Sequence, residues 1–408
     1  MQFLEEARRT YAAANAGTLY WMLQRPALGN GVLNTKQNSL TLADYDARDG
    51  LRGPDYTYGW IQGRGLEALI EHAEFFEEDL PPLADKLDAV GSRLYALLED
   101  LQRRNGHAYF CYDREMKPVY GDAPGVLHAQ QNPQLVYTYS DAFFAKGLVA
   151  AASRYGLPDL PDHLAYLERI IAAIEIGHFQ IDERQLLSLD NIAGQPEDFG
   201  PRMILLGAAA MLKGFGHTAH LAYADRFITH VINRHFDPEA GLLRDVPGGD
   251  DCNPGHGIEF VGFALDYLDD NADPALIEIL ERILTCSFDK GFVGPGIASA
   301  ISVSTGKALT PNCPWWSLPE AIRAAALAHC RTRSQQSLRV WQTAHRAFFD
   351  HYWRGTPPIA YQTMTKEGPV DFVPATPDLD PAYHTGLSLL AAIRAADQLM
   401  SQNPKISG

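Results

Sequence analysis

The sequence predicts an all-α protein, an (α/α)6 barrel of about twelve helices with long, partly β-hairpin loops on one face. Two observations carry this expectation. Six segments open on polar or aromatic residues and continue as helices rich in Ala, Gly and Leu, beginning near Trp60, Tyr139, Pro201, His256, Trp316 and His384. Between them lie six segments with charge on one face and apolar residues at helical spacing, near 3–23, 83–104, 161–176, 218–234, 274–288 and 334–353. Small residues let helices approach closely, so the first set reads as an inner ring. The second set, half wet, reads as an outer ring. Strict alternation of six such hairpins closes a barrel, whereas an open solenoid or irregular bundle needs no fixed number.

A third observation concerns the connections. The segments that enter inner helices are long and hold Gly, Pro and aromatics: 26–58, 107–138, 236–255, 290–314 and 355–383. The turns from inner to outer helix are short. Long loops gathered on one face of a rigid scaffold are where sites usually sit. Phe236-Asp237-Pro238-Glu239-Ala240-Gly241 and Lys366-Glu367-Gly368 are turn signals inside two of them.

A chain of 408 residues would ordinarily suggest two or three domains, but barrels run longer and no Gly/Ser linker divides this one. One domain, 1–408, is expected. Hydrophobic residues make up 46% and charged residues 21%, as in folded globular chains. The net charge of -16 repels phosphate backbones and anionic lipid, so neither nucleic acid nor membrane is expected as a partner. No apolar run reaches the roughly 18 residues of a membrane span. Glu5, Glu6, Arg8 and Arg9 give the first helix an amphipathic start unlike a signal peptide. The five widely spaced cysteines fit reduced thiols better than disulfides or a zinc site, and a cytoplasmic location is expected.

Five features could carry chemistry. In Asn253-Pro254-Gly255-His256-Gly257-Ile258-Glu259, Pro and Gly set a tight helix entry, and His256 and Glu259 fall three apart on one side of the first turn. A histidine at a wet helix mouth exchanges protons near neutral pH, and a carboxylate beside it can fix its tautomer. The plainer reading is a capping turn. Tyr383-His384 opens the last inner helix after the Pro-rich VPATPDLDP, so His384 occupies the same position in its hairpin as His256. A closed barrel points both into one funnel. Trp315-Trp316, with Glu320 four residues after Trp316, offers flat faces and indole donors to a sugar ring, or else core packing. Arg64, in Trp60-Ile61-Gln62-Gly63-Arg64, stands among small and apolar residues and needs a partner: Glu67, another carboxylate or a ligand oxygen. Asp141, after Tyr139, either binds a hydroxyl or caps its helix. No P-loop, dinucleotide fingerprint, GxSxG elbow or His-Glu-x-x-His is present.

From about Tyr20 to Ala395 these segments, in this order, resemble the N-acylglucosamine 2-epimerase family, which includes cellobiose 2-epimerases and mannose isomerases. Asn253-Pro254-Gly255-His256 with Glu259 is the most specific motif; Trp315-Trp316 with Glu320, Tyr383-His384, and Trp60 with Arg64 complete it. The resemblance implies an (α/α)6 barrel and acid/base roles for His256 and His384 on opposite faces of the sugar's second carbon. It implies that Glu259 and Glu320 orient the histidines and assist ring opening, and that Arg64 stabilises the oxyanion. Trp315, Trp316, Asn253, Tyr139, Asp141, Trp60 and Tyr383 would contact the sugar. It implies no metal and no cofactor for the chemistry, ATP as an activator in some members, a small-molecule sugar substrate and a homodimer. Met203 stands where several members place a histidine, no arginine follows His384, and Asp250-Asp251-Cys252 replaces a Gly-Arg. The sugar is left open. An inverting glycoside hydrolase using Glu259, Glu320 or Asp141, a metal site on His256, Glu259, Glu320 and His384, and a non-catalytic carbohydrate-binding or interaction barrel remain as alternatives.

Overall fold

The computed structural model describes residues 2–121, 126–132, 136–372 and 375–402. Among these, the helices are α1 (Gln2–Gln24), α2 (Gly59–Asp79), α3 (Pro81–Asn105), α4 (Tyr139–Tyr155), α5 (Leu160–Ile176), the short α6 (Leu189–Ala193), α7 (Gly200–Gly214), α8 (Ala222–His235), α9 (Pro254–Tyr267), α10 (Pro274–Gly291), α11 (Ser317–Thr332), α12 (Gln335–Ala347) and α13 (Ser388–Ser401). A π turn, Phe348–Tyr352, extends α12, and another, Tyr383–Leu387, leads into α13.

The inner ring is α2, α4, α7, α9, α11 and α13. Each packs on the next, and the turn at Tyr383–Leu387 closes the ring against α2. Small residues make this possible. A Cβ on Gly63 would come within 2.7 Å of the Phe143 carbonyl carbon, and one on Gly147 within 2.7 Å of the Gly63 oxygen. Any side chain at either position would force α2 and α4 apart. The outer ring is α1, α3, α5, α8, α10 and α12. It closes where the Trp341 indole of α12 donates to the Tyr11 hydroxyl of α1 at 2.9 Å, both side chains fully buried.

The inner-to-outer turns lie at one end and the long connections at the other. The long connections carry the strands. Thr57–Tyr58, Cys111–Tyr112, Pro118–Gly121 and Leu127–Ala129 form a four-stranded antiparallel sheet, and Cys313–Pro314, Thr363–Thr365 and Gly368–Pro369 a three-stranded one. Both expected turn signals are hairpins. In the first, the Asp237 carboxylate accepts from the Glu239 and Ala240 amides at 2.9 and 2.8 Å, and Gly241 takes a positive φ of 70°.

Two departures from the sequence reading stand out. The 177–199 connection is also long and carries α6, although it has no strong turn signal. The last inner helix does not begin as a regular α-helix at His384. Ala382 adopts a left-handed backbone, φ 64°, costly for a residue with a Cβ. The Asp380 carboxylate then accepts from the Tyr383, His384 and Thr385 amides. None of the five cysteines is paired. No described helix is long and apolar enough to cross a membrane.

Candidate active site

The loop-bearing end encloses a cavity of about 350 Å³. Its wall brings together Trp60, Arg64, Tyr139, Asn253, His256, Glu259, Trp315, Trp316 and His384, which lie on or just before five different inner helices. Met203 and Asp198 from the α7 entry also line it.

His256 sits on the first turn of α9, where Pro254 supplies a preset φ and the Asn253 side chain accepts from the His256 amide at 3.3 Å. Its imidazole is half-buried and stacks on Trp316, ring centroids 5.3 Å apart and planes 27° apart. The same indole lies 5.6 Å from the His384 ring, tilted by 36°. One aromatic plate therefore touches both histidines and fixes their separation. Glycine at 255 is required for this, because a Cβ there would meet the indole at 2.7 Å.

His384 is buried, and its Nδ1 lies 3.0 Å from Glu320 Oε1. Arg323 pairs with the other Glu320 oxygen at 3.2 Å. Burial pushes the His384 imidazole below its ordinary range, while the Glu320 hydrogen bond opposes that shift. Burial pushes the Glu320 carboxyl upward, but Arg323 and His384 together pull it below the usual value. With Glu320 ionised, Nδ1 carries the proton that it donates, leaving Nε2 as the acceptor.

Glu259 does not orient His256 as the three-residue spacing suggests. Its carboxylate turns toward the barrel axis and lies 3.8 Å from His384 Nδ1. The first turn of a helix spans a wide arc, and here His256 faces Trp316 while Glu259 faces the interior. Burial, with the nearby Glu320 charge, raises the Glu259 carboxyl to about 8. One of its oxygens is buried without a hydrogen-bond partner among the described residues. Asp245 is the acidic group beside His256. Burial raises its carboxyl, the imidazole opposes that shift, and it accepts from the Asn253 amide at 2.8 Å. Asp245 was missed because it comes from the preceding hairpin loop and belongs to no motif.

Arg64 has no carboxylate within ion-pairing distance among the described residues; Glu67 instead pairs with Lys146 at 3.1 Å. The guanidinium lies over the rings of Phe143, Trp60 and Tyr383 at 4.1, 5.1 and 5.4 Å, an aromatic cradle that holds a cation without neutralising it.

Two assignments from sequence are corrected. Asp141 does not reach the cavity. It is fully buried in the α4 capping box, accepting from the Thr138 and Ala108 amides at 2.9 Å each and from the Tyr166 hydroxyl, beside His107. Tyr383 directs its hydroxyl away from the cavity, where Lys146 Nζ donates to it at 2.5 Å. Glu320, expected to orient a histidine, lies behind His384 and holds its Nδ1. Trp60 lines the cavity, but its indole N–H is used by Glu183 at 2.6 Å. Of the four residues considered for a metal, Glu259, Glu320 and His384 place donor atoms within 4.8 Å of one another and His256 stays outside the group. Arg323 already compensates that cluster.

Fold and site together describe an (α/α)6 barrel with a two-histidine cavity at its loop-bearing end. No family model matches the chain, and no curated protein matches it in sequence. Solved structures do match its fold. A cellobiose 2-epimerase from Bacillus thermoamylovorans B4167 superposes with a TM-score of 0.72 at 15% identity, covering 96% of this chain and 99% of that one. A D-mannose isomerase gives 0.71 at 13% identity, covering 97% and 98%. An unsaturated glucuronyl hydrolase specific for heparin gives 0.56 at 11% identity, covering 98% of each chain.

Proposed function

We propose that this protein is a sugar 2-epimerase or aldose–ketose isomerase that moves a proton next to the carbonyl of a ring-opened sugar. The observation that carries the reading is the pair His256 and His384, set on separate inner helices against one indole, with Arg64 beside them and unpaired. The structural likeness to a cellobiose 2-epimerase and a D-mannose isomerase supports it.

Neutral His384 takes the proton from the second carbon on Nε2. The imidazolium that forms is stabilised by Glu320 through Nδ1–H. The electron pair moves onto the carbonyl oxygen, and the developing enediolate is stabilised by Arg64. His256 delivers a proton to the opposite face to complete epimerisation. Return of the proton to the first carbon, with the proton of the second-carbon hydroxyl passing to the first-carbon oxygen, gives the ketose instead. Glu259, protonated at neutral pH, donates a hydrogen bond to a sugar oxygen. This scheme needs neither metal nor cofactor.

The alternative of glycoside hydrolysis keeps one supporting observation: Glu259 and Asp198 both line the cavity. Inversion requires two carboxyl groups roughly 6.5–9.5 Å apart across the bond. One experiment decides between the readings. The protein is incubated in D2O with mannose, glucose, N-acetylglucosamine, N-acetylmannosamine and cellobiose, with and without ATP, and followed by NMR. Deuterium appears at the second carbon of a sugar with the wild type and disappears in the His256→Asn/His384→Asn double variant. Release of glucose from cellobiose without deuterium uptake overturns the epimerase reading in favour of hydrolysis. Uptake undiminished in the double variant overturns the two-histidine mechanism.

A further inference from the structure

Outside the cavity, three potential metal ligands converge where α8 ends against the loop that enters α7. Glu197, His230 and His235 each place a donor atom within 4.8 Å of the others. His235 is fully buried, and its Nδ1 lies 3.0 Å from the Arg244 carbonyl oxygen. A carbonyl can only accept, so Nδ1 carries the proton and Nε2 presents a lone pair. That Nε2 is buried with no hydrogen-bond partner among the described residues, and so is His230 Nε2. A buried imidazole nitrogen that makes no hydrogen bond, as His235 Nε2 is, is costly to keep. A backbone carbonyl holding the far nitrogen of a histidine is the usual support of a metal-bound imidazole.

We propose that Glu197, His230 and His235 bind a divalent transition-metal ion of the zinc type, with water completing its coordination. Two imidazoles and a carboxylate suit zinc better than magnesium or calcium, which prefer all-oxygen shells. The donors need only close slightly, to about 3.4 Å apart, for tetrahedral binding at Zn–N distances of about 2.0–2.1 Å. His230 Nε2 and Glu197 Oε1 are already 3.4 Å apart. Arg234 also holds the Glu197 carboxylate, at 3.1 and 2.7 Å, but a carboxylate has about four lone-pair sites and retains some for a metal.

The position gives the ion a structural consequence. The residue after Glu197 is Asp198, which lines the main cavity. The next, Phe199, packs edge-on between His235 and His256, at ring-centroid distances of 5.2 and 6.4 Å. A metal here staples the α7 entry loop to α8 and steadies one wall of the cavity.

The test uses the full chain, stripped with a chelator and titrated with ZnCl2 by equilibrium dialysis, with CoCl2 as a spectroscopic probe. One zinc per chain binds the wild type. Cobalt gives visible bands of a nitrogen- and oxygen-ligated site, and zinc raises the melting temperature. His230→Ala, at a partly exposed position, weakens binding at least tenfold and removes the thermal shift; Glu197→Gln weakens it in the same direction. His384→Asn leaves binding unchanged. Absence of saturable binding overturns the proposal, as does binding that survives in His230→Ala. Binding lost in His384→Asn but kept in His230→Ala also overturns it, by placing the ion at the Glu259, Glu320 and His384 cluster.

Discussion

His384 is enclosed, with Glu320 on its Nδ1 and Arg323 behind that carboxylate. His256 stands half-exposed at the tip of α9, its ring on Trp316 and making no hydrogen bond to another described residue. His256 lies on the first turn of α9 and His384 on the π turn that leads into α13, and both touch the same indole, yet their surroundings suit them to different tasks. A buried imidazole with an ionised carboxylate on its far nitrogen is neutral before it accepts a proton and stabilised once it has one. An imidazole open to the cavity mouth can trade its proton with water between turnovers. On the proposed reaction, His384 is the base for the first step and His256 the proton donor on the other face.

The largest effect tests this division directly. His384→Asn should lower deuterium uptake at the second carbon by about 10²–10⁴, the usual worth of a placed base. His256→Asn should reduce epimer formation by a similar factor while leaving more of the uptake, because removal and return on the His384 face survive. Equal loss of both signals in both variants would break the comparison. Arg64→Met comes next, with about 10²–10³ lost from kcat. Its melting temperature should stay near that of the wild type, since among the described residues no carboxylate is ion-paired with the guanidinium and would be stranded. A large drop in melting temperature would recast Arg64 as structural.

Glu320→Gln sharpens the comparison by changing only one wall. The Glu320 hydrogen bond raises the His384 pKa against burial, so its loss lets that pKa fall further. The acid limb of the kcat/KM profile should therefore move to lower pH, and the plateau should fall about tenfold as the imidazolium loses its partner. An unmoved acid limb would assign that limb to another group. The smallest effect on catalysis is expected from Asp141→Asn. It breaks the buried α4 capping network and should cost about 1–3 kcal/mol in urea unfolding, with KM unchanged. A raised KM with normal stability would return Asp141 to the sugar site.

That last contrast shows where sequence reading ran out. Tyr139-Ser140-Asp141 opens an inner helix just as Asn253-Pro254-Gly255-His256 does, and both look like mouth residues. Capping turns Asp141 inward onto Ala108 and Tyr166, residues far away in the chain. The pairing of Glu259 with His256 fails for a related reason. A three-residue spacing places two side chains on neighbouring parts of a helix surface, but only the neighbouring helices decide which is the inside. Asp245 and Asp198 were invisible because loop carboxylates carry no periodicity, and their loops fold back onto the cavity only in three dimensions.

The alternation of small-residue and amphipathic helices, the unequal connections and the placement of His256, Trp316 and, within a turn or two of the helix entries, His384 and Arg64 were all determined by the sequence. They are local or periodic properties: helix patterning, Pro and Gly at entries, glycines where helices must touch. Which carboxylate serves which histidine, the lack of an ion-paired carboxylate for Arg64 among the described residues, and the turning of Tyr383 toward Lys146 were decided only by tertiary structure. Each of these depends on groups tens to hundreds of residues apart, brought within a few ångströms by closure of the ring. Burial and charge compensation, which set their protonation, exist only once the ring is closed.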